Sequence, residues 1–410
     1  MLLEINGGGF GNKGAQLMLL TVLDRFRSVP SRFFMSPYRN IPKQELIDLG
    51  LARHFPLPVS SGGRLFPPRF LANLAISSVA PRALCDRIGL ARYQDSDGLL
   101  DISGIRFGDA ASPTAGRNFI RLARYYKRRG KPVILLPQML GPFKEGESAD
   151  LFRRLLPETT LVFARDGQSY EHALSVLGPT PKLRLAPDIT IFCEPTPSPQ
   201  TDQPYGCIVP NARMLDRGKA DWHQTYVDRL VAAAQSMIAL NLHPIVLVHS
   251  TEGLEDNPLA ERIVQRLGPE RCSMQVADDP LQTKAFIANA RLIVASRYHS
   301  VVSALSSGVP AIVMGWAHKY DTLLKDFGVP HLQHFASDSL ESLGRLVAEV
   351  GTYEESQRLK KILLSRRAAM SAPNEEMWRL VAGALSLDEG SLLRTDAHDS
   401  LSKEGIALCP

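Results

Sequence analysis

The chain has 410 residues, enough for two or three separate cores. Hydrophobic residues make up 44% and charged residues 22%, which excludes a disordered or fibrous chain. The net charge of +5 suits an anionic ligand. The densest basic run, RYYKRRGK at 124–131, reads as a solvated helix end, so nucleic acid is not required.

In chain order, LLEI at 2–5 reads as a strand, followed by GGGFGNKGAQ and the helix LMLLTVLDRF. A second strand is expected at 32–37 and a helix at 43–51. The Pro-, Gly- and Ser-rich stretch 57–70 reads as a loop, and 70–93 as a helix interrupted at Pro81. With its apolar residues and arginines, 60–92 is also a candidate contact with a membrane surface, against a core-packed helix as the plainer reading. Strands follow at 98–103, 132–138, 160–166 and 182–190, alternating with helices. PTPSPQTDQP at 195–204 has linker composition, after which the alternation restarts. The pattern predicts an α/β protein of two doubly wound Rossmann-like domains, 1–195 and 205–375, facing a cleft across a linker at 196–204. Residues 376–410 are expected to form a helix and a weakly ordered tail.

Five dispersed cysteines without CxxC spacing argue against a zinc site or disulfide framework and for a reducing compartment. With a first strand expected from residue 2, no leader is expected. No apolar run approaches the ~18 residues of a membrane span. The expected location is the cytoplasm, with the inner membrane face as the alternative.

The most informative stretch is LIVASRYHSVVSALSSGVPAIVMGWAHK at 292–319. It reads as a strand, a break carrying Arg297 and His299, a helix opening near Ser300, a turn, and a second strand followed by His318 and Lys319. Both cationic groups fall at strand carboxyl ends, where open α/β sheets bind ligands. The first also lies at a helix N-terminus, which favours an anion. With no carboxylate nearby in sequence, these cations suit a phosphate or carboxylate ligand.

Gly9, Gly11 and Gly14 match GxGxxG in letters, but no acid ends the second strand to hold a ribose. The loop reads instead as a close approach for substrate, with Asn12 and Lys13 aimed at it, or as a tight turn with a solvated lysine. Arg165 is either half of a surface pair with Asp166 or a ligand contact at a strand's end. Asp101 and Asp109 flank a Gly-containing loop and are candidate bases or loop caps. Asp95-Ser96-Asp97 resembles the metal motif of some glycosyltransferases but precedes a strand, so no metal is assigned. Asp188 reads as a turn residue, Trp316 as core or sugar platform, and His249 as a packed polar residue or ligand contact.

Together, GGGFGNKGA, LPQMLGPF at 136–143, ARDGQSYEHAL at 164–174, APDITIF at 186–192, SRYHSVVSALSSGVPAIV and GWAHKY resemble the polysaccharide pyruvyl transferase family over residues 2–335. The resemblance implies a fold similar to the two-domain GT-B glycosyltransferases. It implies transfer of a pyruvyl group from phosphoenolpyruvate to two hydroxyls of a saccharide or lipid-linked precursor. Arg165 matches the family's ARD block, and Arg297 and His299 match its Arg-x-His element, which holds the phosphoenolpyruvate anion. Tyr298 stands where Leu is common.

On this reading His299 is the proton donor, and Asp101 or Asp109 orients the acceptor. Arg165, Arg297 and Lys319 hold the donor, with His318, Asn12, Lys13, Gly9, Gly11 and Ser300 as further substrate contacts. Neither cofactor nor metal is expected. The competing readings are a nucleotide-sugar glycosyltransferase and a non-catalytic glycan- or anion-binding protein.

Overall fold

The computed structural model describes residues 1–35, 43–54, 81–87, 90–144, 146–197, 203–216, 222–250, 256–276, 278–315 and 318–394. The expected loop at 57–70, most of the 60–92 segment, Trp316 and the tail beyond Arg394 lie outside the described residues. The chain divides into two compact units. The first takes Met1–Phe10, Met18–Ile189 and the described residues from Ala372; the second takes Gly11–Leu17 and Thr190–Ser371. The linear division expected from the sequence is corrected at the Gly-rich loop, whose second half belongs to the second unit.

In the first unit, β1 (Leu2–Asn6), β2 (Arg32–Met35), β3 (Ala52–His54), β4 (Leu90–Ala91), β5 (Gly98–Asp101), β6 (Ile105–Phe107), β7 (Val133–Leu140), β8 (Leu161–Ala164) and β9 (Leu183–Leu185) form one sheet. Its order is β4-β3-β2-β1-β5-β7-β8-β9, with β6 alongside β7. All the pairings are parallel. Val133–Leu140 is buried throughout, as a strand covered on both faces must be. The helical reading of 70–93 is corrected at its end: Leu90 and Ala91 pair with Arg53 and His54. Strands this short show no periodicity, and their neighbours' hydrogen bonds define them.

The second unit orders β12 (Ser273–Val276), β11 (His243–Val248), β10 (Tyr205–Val209), β13 (Ile293–Ala295), β14 (Ala311–Met314) and β15 (Gln333–His334) in one parallel sheet. The chain runs outward from β10 through β11 to β12, then returns to β13 on the other side of β10. The carboxyl ends of β10 and β13 therefore flank a topological switch point.

Helix Ser371–Ala384 carries Met377, Trp378, Val381 and Ala382 into the first unit's core with Leu3, Ile5 and Phe26. The Arg25 guanidinium meets Glu375 on this helix through two hydrogen bonds, 2.8 and 2.6 Å. Leu392 is buried in the same core, so order extends past the point where the sequence turns polar. Among the described residues no helix is long and apolar enough to cross a membrane.

Candidate functional site

Strand β13 ends in a fixed peptide. The Ser296 carbonyl accepts from Asn211 Nδ2 at 3.1 Å and from the Tyr320 hydroxyl at 2.8 Å. Its Oγ accepts from the Tyr226 hydroxyl at 2.8 Å. Arg297 follows in extended conformation at the N-cap of helix Tyr298–Ser306, and its side chain makes no cap. Its Nε and Nη2 donate instead to Asp256 Oδ2, at 3.0 and 2.5 Å. The other oxygen of Asp256 accepts from the Ala212 backbone at 2.8 Å. Asp256 is buried, and the Arg297 side chain keeps 20% of its surface exposed. The expectation of a site without a carboxylate is thus corrected: Asp256 holds the guanidinium from 41 residues upstream in sequence.

Gly11–Leu17 packs within this same unit. Asn12 caps helix Lys13–Arg25, its Oδ1 accepting from Gly14 N at 3.0 Å, and it bridges to Ser250. The Ser250 hydroxyl reaches the Gly11 carbonyl at 3.5 Å. Lys13 is buried, donating to the Asp278 carbonyl at 2.6 Å and to Gln16 Oε1 at 3.2 Å. The reading of a solvated lysine is therefore wrong.

His299 lies against Gly14. A Cβ built on Gly14 would stand 2.1 Å from His299 Nδ1 and 2.4 Å from Cγ. Only glycine lets the imidazole meet the helix here. Tyr298 meets His299 edge-on, with centroids 5.3 Å apart. Lys319 lies over Tyr298 and Tyr320, at 5.2 and 5.4 Å. The buried Ser300 hydroxyl donates to the Arg297 carbonyl at 2.6 Å, bracing the turn. His318 begins the following helix, and its side chain lies outside the described set.

His249, which the sequence leaves open as a packed polar residue or a ligand contact, stands at the exit of β11. Among the described residues its buried Nε2 has no hydrogen-bond partner. Burial first, then the charges of His299, Arg297 and Lys13, push it down to about 3. The ring is neutral at pH 7, and these influences mark the four side chains as neighbours. Its place at a strand's carboxyl end was the available signal.

Gly9, Asp101, Asp109 and Arg165 belong to the first unit. Asp101 Oδ1 accepts from Ser103 Oγ at 2.8 Å and Arg106 Nη2 at 2.6 Å. Its Oδ2 accepts from Gln138 Nε2 at 3.0 Å and Arg106 Nε at 3.4 Å. A carboxylate offers about four lone-pair sites, so Asp101 has no capacity left for a hydroxyl proton. Its expected role as a base is corrected to that of a counter-ion. Asp109 ties the loop that follows β7, accepting from Lys144 N at 2.9 Å and Ser148 Oγ at 2.5 Å.

Arg165 pairs with Asp188 at 3.4 Å, both side chains almost fully buried. Asp166 caps the next helix through Ser169 N at 2.7 Å. Both readings of this region are corrected: Arg165 does not pair with Asp166, and Asp188 is more than a turn residue. Asp95 pairs with Arg92 at 2.6 Å, and Asp97 accepts from Leu2 N at 2.9 Å.

A family model described as "Polysaccharide pyruvyl transferase" matches residues 12–318, three quarters of the chain. The chain belongs to the polysaccharide pyruvyl transferase family. Both the Gly-rich loop from Asn12 and the Arg297–His299 element fall within that match. No curated protein matches the sequence.

Among solved structures, a putative UDP-N-acetylglucosamine 2-epimerase from Listeria monocytogenes is similar at 12% identity and a TM-score of 0.59, covering 95% of this chain and 98% of its own. The UDP-GlcNAc 2-epimerase from Neisseria meningitidis, bound to UDP-GlcNAc, is similar at 10% identity and 0.59, covering 93% and 100%. Anabaena Alr3699/HepE in complex with UDP is similar at 13% and 0.54, covering 93% and 100%. At these identities the likeness is one of fold: an α/β, two-domain, Rossmann-like architecture of the GT-B kind.

Proposed function

We propose that this family member transfers the pyruvyl group of phosphoenolpyruvate to two hydroxyls of one saccharide residue, forming a cyclic ketal. The reading rests on one observation beyond family membership. Arg297 and His299 stand at the exit of β13, beside the switch point and at a helix N-terminus, with Lys13 and His249 as charged and polar neighbours. Phosphoenolpyruvate carries a phosphate and a carboxylate, and a guanidinium is suited to either. Asp256 orients Arg297 by Nε and Nη2, while Nη1 makes no hydrogen bond within the described residues and is the nitrogen offered to the donor.

In the proposed chemistry the His299 imidazolium protonates C3 of the donor, and positive charge develops at C2. A saccharide hydroxyl oxygen adds at C2. The C2–O bond to phosphate then breaks, and a second hydroxyl oxygen closes the ring. Two hydroxyl protons are released: one restores His299, and the other leaves on inorganic phosphate. The saccharide acceptor is the partner in this reading. Side chains supply the acid and the charges, so turnover is expected to survive EDTA.

The test is phosphate release by the full chain from phosphoenolpyruvate with a panel of β-galactosides and N-acetylhexosamine glycosides. Acceptor-dependent release, lowered about 10²-fold or more in His299→Ala, is the expected result. No release with any acceptor, from protein shown to be folded, counts against it. Thermal stabilisation by UDP and not by phosphoenolpyruvate would favour a nucleotide-sugar reading, in line with the UDP-bound structures of similar fold. Saturable donor binding without product would favour a binding protein.

A further inference from the structure

The first unit carries a concentration of positive charge that the proposed chemistry does not use. Residues 113–131 hold seven Lys or Arg and no Asp or Glu, whereas the whole chain nets +5. Folding accounts for some of them. Arg117 meets Glu147, Arg124 meets Glu158 and Lys131 meets Asp97. Cations at the end of helix Pro113–Lys127 also complement its dipole. Lys127 and Arg128 are exposed and make no ion pair among the described residues.

Topology gathers this charge on one edge. Lys127–Lys131 lead into β7, the turn Leu156–Glu158 leads into β8, and Lys182 leads into β9. These strands are adjacent, so all three approaches lie at the amino edge of the sheet. The switch point of that sheet lies at the opposite, carboxyl edge. Between the entries to β8 and β9 is a cavity of about 430 Å³. Leu156, Pro157, Val176 and Leu177 line it with apolar surface, and Arg153 and Lys182 are its cations. Lys182 is held below its ordinary pKa by burial and then by the Lys127 charge. Like charges that repel each other gain from an anion bound beside them.

We propose that this amino edge of the first sheet docks on an anionic lipid surface, with headgroup phosphates at Lys127, Arg128, Arg153 and Lys182. The apolar lining decides between lipid and nucleic acid. Single-stranded nucleic acid is held by stacking on aromatic rings, and this cavity has aliphatic walls. Docking by this edge leaves the carboxyl ends of the sheet's strands uncovered.

The experiment is co-sedimentation of the full chain with phosphatidylcholine vesicles, with and without phosphatidylglycerol. Partition onto the anionic vesicles is expected, weakening as salt rises. The triple variant Lys127→Gln, Arg128→Gln, Lys182→Gln should lower partition roughly 100-fold, at about fivefold for each cation removed. A control triple, Arg345→Gln, Lys360→Gln, Lys361→Gln, removes three cations of the second unit and should keep its partition. Equal binding to neutral vesicles, equal loss in the control, no binding at all, or stronger capture by an oligonucleotide would each overturn the proposal.

Discussion

Replacing Gly14 with Ala tests whether His299 is seated on the first turn of helix Lys13–Arg25. The new methyl would lie 2.1 Å from His299 Nδ1, 2.4 Å from Cγ and 2.7 Å from Cβ. Atoms so close to the backbone cannot yield by swinging a chain end, so the whole ring must leave. Overpacking of this kind costs ~1–3 kcal/mol. Against it stands a helix-propensity gain of up to about 1 kcal/mol for Ala over Gly. Gly14→Ala alone should therefore be neutral to destabilising by ~2 kcal/mol, a fall of the second unit's melting temperature of about 2–4 °C per kcal/mol.

In a His299→Ala background the clash disappears, and the same change should stabilise by up to about 1 kcal/mol. The coupling in the double-mutant cycle is then the clash itself, ~1–3 kcal/mol. Calorimetric melts of the four proteins measure it. A coupling within about 0.3 kcal/mol of zero would refute the seating of His299 against this glycine. In otherwise wild-type protein the displaced ring should also weaken stabilisation by phosphoenolpyruvate, seen as a smaller thermal shift.

Acid should destabilise the second unit through two buried histidines, His249 at about 3 and His334 at about 4. Burial dominates both shifts, and Arg229 adds to the second. The unfolded chain takes up these protons first, near pH 6.5, so stability is complete above that value and falls as pH drops toward 4. At pH 5 each costs ~2 kcal/mol, and His249→Gln should flatten the urea-midpoint profile between pH 6.5 and 5 by one histidine's share. Asp188→Asn strands the buried Arg165 without its counter-ion and should cost ~3–5 kcal/mol in urea unfolding. Glu147→Gln, at an exposed pair with Arg117, should cost under about 1 kcal/mol in the same assay.

The alternation of apolar runs with helical periods was written locally. That was enough to derive two parallel sheets and to put Arg297 and His299 at a strand's carboxyl end before any coordinates. Each of these features depends on residues a few positions apart, within one strand or one turn. The tertiary structure alone decided what the charged side chains meet. Arg297 found Asp256, Arg165 found Asp188, and Asp101 became saturated by Arg106, Gln138 and Ser103. Several carboxylates could in principle serve each guanidinium, and only sheet order and register bring one of them within hydrogen-bonding distance. The seating of His299 on Gly14 is of the same kind: a contact across 285 positions whose sole mark in the sequence is a missing side chain.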